Sequence, residues 1–291
     1  MSNDIKQSSE AKKLARELLE QGKVSAVIGY AEGTLKGRVQ TLIARNPLDA
    51  EKFIFNEYCV NNLAVYLTKS YRLLKSDKPV AVFLKPCDIR TVTALIQEHQ
   101  IKREDIFIIG MSCQGVRNGN GLSGKCRACR MHNPQYSDAV IGEAIEEKEP
   151  EVTDPFARVK EIENMSTQER WQFWTKEFDK CIRCYACRQA CPLCYCEQCI
   201  VDKTQPRWIE SSAHPVGNMA WHLIRAFHLA GRCIGCGECD RVCHQNIPLS
   251  LLNMKMSKEI FDLYGYRSGV DPEAKPPLTE FKMEDNEEFI R

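Results

Sequence analysis

The sequence predicts an α/β protein: a core domain with a small parallel sheet, then a second domain organised by cysteine ligands. Three observations carry this expectation. Residues 79–84 (PVAVFL) are a continuous apolar run, as expected of an inner parallel strand, and 105–110 (DIFIIG) read as the next strand one helix length on, the order of a βαβ unit. The run Cys181-Ile-Arg-Cys184-Tyr-Ala-Cys187-Arg-Gln-Ala-Cys191 has the spacing C-x2-C-x2-C-x3-C, and Cys233-Ile-Gly-Cys236-Gly-Glu-Cys239-Asp-Arg-Val-Cys243 repeats it. Between the two runs lies an insert with a helical pattern over residues 219–230. The expected organisation is a core domain over 1–155, a cysteine-run domain over 156–264, and an extended carboxyl-terminal arm over 265–291.

The elements follow in order. Leu14, Leu18 and Leu19 among charged residues predict a helix over 9–20. Residues 24–30 and 39–43 read as strands. Val60, Leu63, Ala64, Leu67, Tyr71 and Leu74 mark a helix with an apolar stripe. After the strand 79–84, Lys85-Pro86-Cys87 turns the chain, and Asp88 is placed to cap a helix over 89–97. The strand 105–110 follows, with a further candidate over 138–145. The charged, proline-bearing stretch 147–155 reads as the exit from the core domain. A helix over 167–178 delivers the chain to Cys181. In the insert, Ala220, Leu223, Ile224 and Phe227 are expected to pack toward the cysteine sites. Residues 249–264 read as a last helix.

The cysteine runs have the spacing that wraps a [4Fe-4S] cluster. In two-cluster modules of this rhythm, three cysteines of a run hold one cluster and the fourth ligates the other. Cys181, Cys184 and Cys187 are therefore expected to share a cluster with Cys243. Cys233, Cys236 and Cys239 are expected to share one with Cys191. The domain is thus ferredoxin-like and dicluster, with zinc sites or buried inert thiols as the alternative. A third [4Fe-4S] centre is expected from Cys87, Cys113, Cys126 and Cys129. Cys87 and Cys113 follow the two apolar strands at the carboxyl edge of the sheet, where open α/β sheets place their ligands. Cys126-Arg-Ala-Cys129 supplies a C-x2-C pair; a structural zinc or a redox C-x2-C pair is the alternative. A fourth centre is open at Cys194, Cys196 and Cys199 with Cys59, against a reading of these as small buried residues.

Composition narrows the rest. Lys and Arg total 40 against 39 Asp and Glu, a formal net charge of +1, which gives no electrostatic case for nucleic acid or an anionic membrane surface. No apolar stretch approaches a bilayer span. Residues 1–10 are polar and lack the apolar centre of an export signal, so the expected location is cytoplasmic. There, 16 cysteines point to metal rather than disulfides. No G-x-G-x-x-G follows a strand and no P-loop is present. No acid/base pair or activated nucleophile stands out. The chemistry legible here is one-electron transfer.

Lys85-Pro86-Cys87-Asp88 and Ile109-Gly110-Met111-Ser112-Cys113, joined to the cysteine runs, resemble the beta subunits of deazaflavin-reducing hydrogenases and related formate dehydrogenases. The layout is most similar to the iron-sulfur subunits of anaerobic sulfite reductase and archaeal sulfhydrogenase. The resemblance implies an electron-transfer subunit of a multi-subunit oxidoreductase, partnered by a hydrogenase, a formate dehydrogenase or a heterodisulfide reductase-like module. Some members bind FAD in the core domain, through a Ser-Gly-Gly segment before an apolar helix. Residues 58–67 here read Tyr-Cys-Val-Asn-Asn-Leu-Ala-Val-Tyr-Leu instead. The expectation is therefore an iron-sulfur relay. The alternatives are a flavin-containing subunit that couples a nicotinamide or deazaflavin to the clusters, and a zinc-bound scaffold.

Overall fold

The computed structural model describes residues 3–35, 37–69, 76–119, 121–277, 279, 281, 283 and 284. The chain divides into two compact units, Met1–Thr153 and Asp154–Arg291. A sheet core in the first and helices in the second make this a mixed α/β protein.

In the first unit, α1 (Asn3–Glu20) buries Ala11, Ala15 and Leu18 on one stripe, the spacing of an amphipathic helix. It begins six residues before the apolar pattern does, because its polar first turns are tied to the sheet unit. Gln7 donates to the Ser112 carbonyl at 2.8 Å, and the Ser8 hydroxyl accepts from the Phe55 N–H at 2.9 Å. The central strand β1 (Ala26–Glu32) is buried at every position but the last. It pairs antiparallel with β2 (Val39–Ala44) along one edge. A short helix α2 (Pro47–Ala50), capped by Asn46, leads to β3 (Phe53–Ile54), which pairs antiparallel with β1 at Tyr30 and Ala31. The helix expected over 60–74 is α3 (Val65–Lys69) among the described residues; Tyr71 and Leu74 lie outside them. Leu63, Ala64 and Leu67 are fully buried.

Strand β4 (Val80–Leu84) is buried at all five positions and parallel to β1. An apolar side chain at every position requires cover on both faces of a sheet. Helix α4 (Pro86–Gln97) crosses to β5 (Ile106–Met111), which is parallel to β4 with Leu84 opposite Gly110. This register releases Lys85–Cys87 and Ser112–Cys113 at one sheet edge. Strands β6 (Arg117–Asn118) and β7 (Gly121–Leu122) form a small ribbon, followed by α5 (Gly124–Arg127). Strand β8 (Ala139–Ile141), shorter than the stretch 138–145 expected, completes the order β2-β1-β4-β5-β8.

The second unit comprises α6 (Ala157–Glu163), α7 (Thr167–Asp179), α8 (Ala186–Ala190), α9 (Pro215–His228), α10 (Glu238–Arg241) and α11 (Leu249–Tyr264). Helix α7 opens on a capping box: the Ser166 hydroxyl accepts from the Glu169 N–H, and the Glu169 carboxylate accepts from the Ser166 N–H. Removing the hydroxyl with Ser166→Ala should cost about 1 kcal/mol of unfolding free energy, read as a lower denaturant midpoint at unchanged slope. Helix α11 ends where Gly265 takes φ +64, the left-handed cap for which glycine is suited. Beyond it, the carboxyl-terminal stretch is described only through parts of 271–284, and its last seven residues lie outside the described set.

Two expectations are corrected. Asp88 is not the cap of α4. That position is Lys85, and Asp88 lies within the first turn as its ion partner. On α9, Leu223 and Phe227 do not turn inward: they are 38% and 62% exposed. The buried face carries Asn218, Trp221, His222 and Arg225.

Candidate functional site

The cysteine runs build their loops alike. In the first, Arg183 and Tyr185 have φ of +57° and +58°; in the second, Gly235 and Gly237 have +74° and +71°. The left-handed turn at the third residue aims its N–H back at the first cysteine. Arg183 N–H donates to Cys181 Sγ and Gly235 N–H to Cys233 Sγ, each at 3.4 Å. The Ile247 N–H donates to Cys243 Sγ at 3.4 Å. Amide donors aimed at sulfur favour the thiolate, the form that ligates metal.

The runs cross. Cys184 and Cys243 both act electrostatically on Cys181, and Cys181, Cys184 and Cys243 act on Cys187. Cys191 acts on Cys233, and Cys236 and Cys233 act on Cys239. Burial raises the pKa of the thiols of Cys181, Cys187, Cys233 and Cys239. Phe178, Ile247 and Leu249 wall Cys187 and Cys239, with Cys181 and Cys243 packed against them. Cys184 is exposed.

Four polar side chains line this region, of which Asn218, Arg183 and Arg225 were missed by the sequence reading. The Asn218 amide donates to the Phe178 and Cys181 carbonyls at 3.0 and 2.9 Å. Arg183 donates to the Gly217 carbonyl at 3.1 Å and to the Glu210 carbonyl. His222 stacks on Phe178 with ring centroids 4.7 Å apart, and neither ring nitrogen has a hydrogen-bond partner. Burial, aided by Arg225 and Arg183, pushes its pKa down to about 3, so the imidazole is neutral. Arg225, only 4% exposed, donates to the Cys187 carbonyl at 3.3 Å. The signal was present: Asn218, His222 and Arg225 recur at i, i+4, i+7, a stripe as regular as the apolar one beside it.

In the first unit, Cys87 on α4 and Cys113 after β5 interact electrostatically, as do Cys113 with Cys126 and Cys126 with Cys129. Backbone donors again point at sulfur: Gly115 N–H to Cys113 at 3.4 Å, Val116 N–H to Cys126 at 3.3 Å, and Met131 N–H to Cys129 at 3.4 Å. Gly115 has φ +115 and an added Cβ would lie 2.9 Å from Leu122, so this turn requires glycine. Burial pushes Cys113 up to about 11 and Cys87 well above its ordinary value.

Lys85 is fully buried beside these thiols. Its ammonium meets Asp88 at 2.7 Å, the Tyr30 hydroxyl at 2.6 Å and the Asn61 carbonyl at 2.8 Å. Burial opposes its charge, but Asp88, Cys87 and Cys113 outweigh this and raise its pKa. Cys59 lies here too. Burial pushes it up to about 12, and Lys85 and Cys113 act on it. Of the other cysteines, Cys194 acts on Arg225, Cys199 pairs with Arg188, and Cys196 is exposed.

Among the described residues, no group of three or more His, Cys, Asp or Glu side chains is gathered closely enough to hold a single metal ion. A four-iron cube holds its cysteines farther apart than one zinc does. The donor sets suit such a cube in chemistry: thiols only, largely buried, with amide donors to sulfur. The segment 58–67 lacks the Ser-Gly-Gly pattern and is packed into the core only in part, with Tyr58 38% exposed. Asn62 is 1% exposed and donates to Thr91 at 2.8 Å, and Leu63, Ala64 and Leu67 are sealed. No described helix is long and apolar enough to cross a membrane.

No protein-family profile matches the chain. It is 24% identical over 294 aligned positions to the F420-dependent formate dehydrogenase subunit beta of Methanocaldococcus jannaschii, covering 70% of this chain and 76% of that one. It is 22% identical over 360 aligned positions to the F420-dependent formate dehydrogenase 1 subunit beta of Methanococcus maripaludis, covering 91% of each. A chain in a structure of the F420-reducing [NiFe] hydrogenase complex from Methanosarcina barkeri aligns at 18% identity with a TM-score of 0.31, over 38% of each chain, too partial to bear on the fold. The chain is a distant homologue of the F420-dependent formate dehydrogenase beta subunits.

Proposed function

We propose that this protein is an electron-relay subunit of an oxidoreductase of the deazaflavin-coupled formate dehydrogenase or hydrogenase kind. The observation that carries the reading is the mutual electrostatic influence of thiols from the two cysteine runs: Cys243 acts on Cys181 and Cys187, and Cys191 acts on Cys233. It supports sets in which Cys181, Cys184 and Cys187 share with Cys243, and Cys233, Cys236 and Cys239 with Cys191. These sets would hold two [4Fe-4S] clusters, and Cys87, Cys113, Cys126 and Cys129 a third. Bound clusters supply one-electron storage at iron saturated with cysteine, with no open position for an organic substrate. The chain's own residues bury Cys113, Cys187, Cys191 and Cys239, present amide donors to sulfur, and shield Cys187 and Cys239 with Phe178, Ile247 and Leu249. Substrate chemistry then belongs to a partner subunit of the formate dehydrogenase or hydrogenase kind.

The curated relatives favour a subunit that meets a deazaflavin over a relay confined to one-electron partners, since both are named for F420. A hydride carrier must be met by a group that accepts two electrons and releases them singly, such as a flavin. In this chain the segment 58–67 lacks the Ser-Gly-Gly pattern, so the flavin would be held by other residues of the core unit or by a partner.

Anaerobic purification of the untagged protein, with iron, sulfide and flavin analysis, tests both points. The reading expects about eight irons per loaded chain for the second unit, four to a cube, and about twelve with the third centre. Fewer than about eight would sink it. Flavin at full iron content would make this chain the point of deazaflavin exchange. Its absence there, with bleaching of the clusters by reduced deazaflavin only when the partner is added, would assign exchange to the partner.

A further inference from the structure

Arg225 is the residue whose surroundings the relay reading leaves unexplained. It projects from α9 into the interior of the second unit, 4% exposed. One terminal nitrogen donates to the Cys187 carbonyl at 3.3 Å, and Nε has no partner. No carboxylate pairs with it among the described residues. Its electrostatic neighbours are cysteines from both sets: Cys187 of the first, Cys191 and Cys239 of the second, and Cys194 beside them. Conversely, Arg225 acts on Cys187, Cys233 and Cys239. A buried cation with no carboxylate partner favours negative charge on the groups around it. Its neighbour one turn back, His222, is neutral and contributes no opposing charge.

We infer that Arg225 is a positioning residue shared by the two cysteine sets, its one positive charge favouring the reduced state at both. The inference rests on the cluster reading above. Each reduction adds one electron, from an external one-electron reductant, to a site already negative through its thiolates. A fixed cation in a medium of low dielectric stabilises the added charge. Because the same guanidinium bonds the Cys187 carbonyl and interacts electrostatically with Cys191 and Cys239, its removal should act on both sites together.

The test uses the full chain, reconstituted anaerobically, in a redox titration followed by electron paramagnetic resonance. Arg225→Gln keeps a donor for the Cys187 carbonyl and removes the charge. It should disfavour reduction of both clusters about tenfold each, a lowering of about 59 mV for a one-electron couple. Arg225→Lys should keep most of the wild-type potentials, and the exposed Arg207→Gln should change neither. A shift in one cluster alone, or in neither, at full iron content would overturn the sharing. Where Arg225→Gln cannot be loaded, iron content decides. Recovery of both clusters in Arg225→Lys supports the charge role, and failure to recover either overturns it. Wild-type protein lacking clusters would instead remove the relay reading itself.

Discussion

The double variant Cys243→Ala, Cys187→Ala is expected to lose about four irons, no more than either single variant. Cys243→Ala with Cys239→Ala is expected to lose about eight. The asymmetry follows from the proposed crossing. Cys243 stands in the second run by sequence but acts electrostatically on Cys181 and Cys187, and the proposed reading gives it to their cluster. Cys233 and Cys236 act on Cys239, which the reading gives to the other. Two ligands lost from one cube remove one cube, and one lost from each removes both. If each run held its own cluster, the two double variants would exchange results. Iron and sulfide content, with spin quantitation of the reduced protein, separates these outcomes without relying on activity. Metal-bound cores couple to folding, so the eight-iron loss should also lower the melting temperature of the second unit more than the four-iron loss does.

Asp88→Ala should destabilise the first unit by about 3–5 kcal/mol, the cost of breaking a buried ion pair by removing one partner. Lys85 and Asp88 are both sealed from solvent at a separation of 2.7 Å. The lysine's other partners, the Tyr30 hydroxyl and the Asn61 carbonyl, are neutral. Without the carboxylate the buried ammonium loses the anion that most favours its charge. The double variant Lys85→Met, Asp88→Ala should recover most of the loss, because replacing a whole buried pair by apolar groups is often neutral. Chemical denaturation of the metal-free protein measures both. Equal destabilisation in the single and double variants would show that the carboxylate acts by packing, not by charge.

Much of the fold is written in hydrophobic pattern. Val80–Leu84 and Ile106–Met111 are inner parallel strands because every side chain along them is apolar. The last helix has the bounds expected from its pattern because a glycine ends it. The amino-terminal helix was read too short, because Gln7 and Ser8 make bonds to distant backbone that no local pattern announces. The candidate sites divide in the same way. Cysteine spacing singles out the ligands because a cluster loop needs them at short, fixed intervals. The surrounding polar residues were missed for the opposite reason. Hydrophobic periodicity assumes an apolar interior, and the interior of the second unit is lined by sulfur. There Arg225 and His222 turn inward while Leu223 and Phe227 face out.

The two matching loops differ in when their shape is settled. Gly235 and Gly237 occupy the left-handed region without steric penalty, but glycine surrenders more freedom than other residues on being ordered. Arg183 and Tyr185 hold the same backbone angles against a Cβ penalty of roughly 1–2 kcal/mol per residue. They are kept there by side chains: Arg183 grips the carbonyls of Gly217 and Glu210, and the Tyr185 ring meets Trp221 edge-on at 5.3 Å. The first loop is thus moulded by its own side chains, whereas the second, free at its glycines, is held from outside by the Ser257 hydroxyl on the Cys233 carbonyl at 3.2 Å and the Asn253 amide on Cys239 Sγ. In apoprotein the amides of 181–187 should exchange with deuterium more slowly than those of 233–239, and cluster delivery should proceed from the ready loop to the unready one.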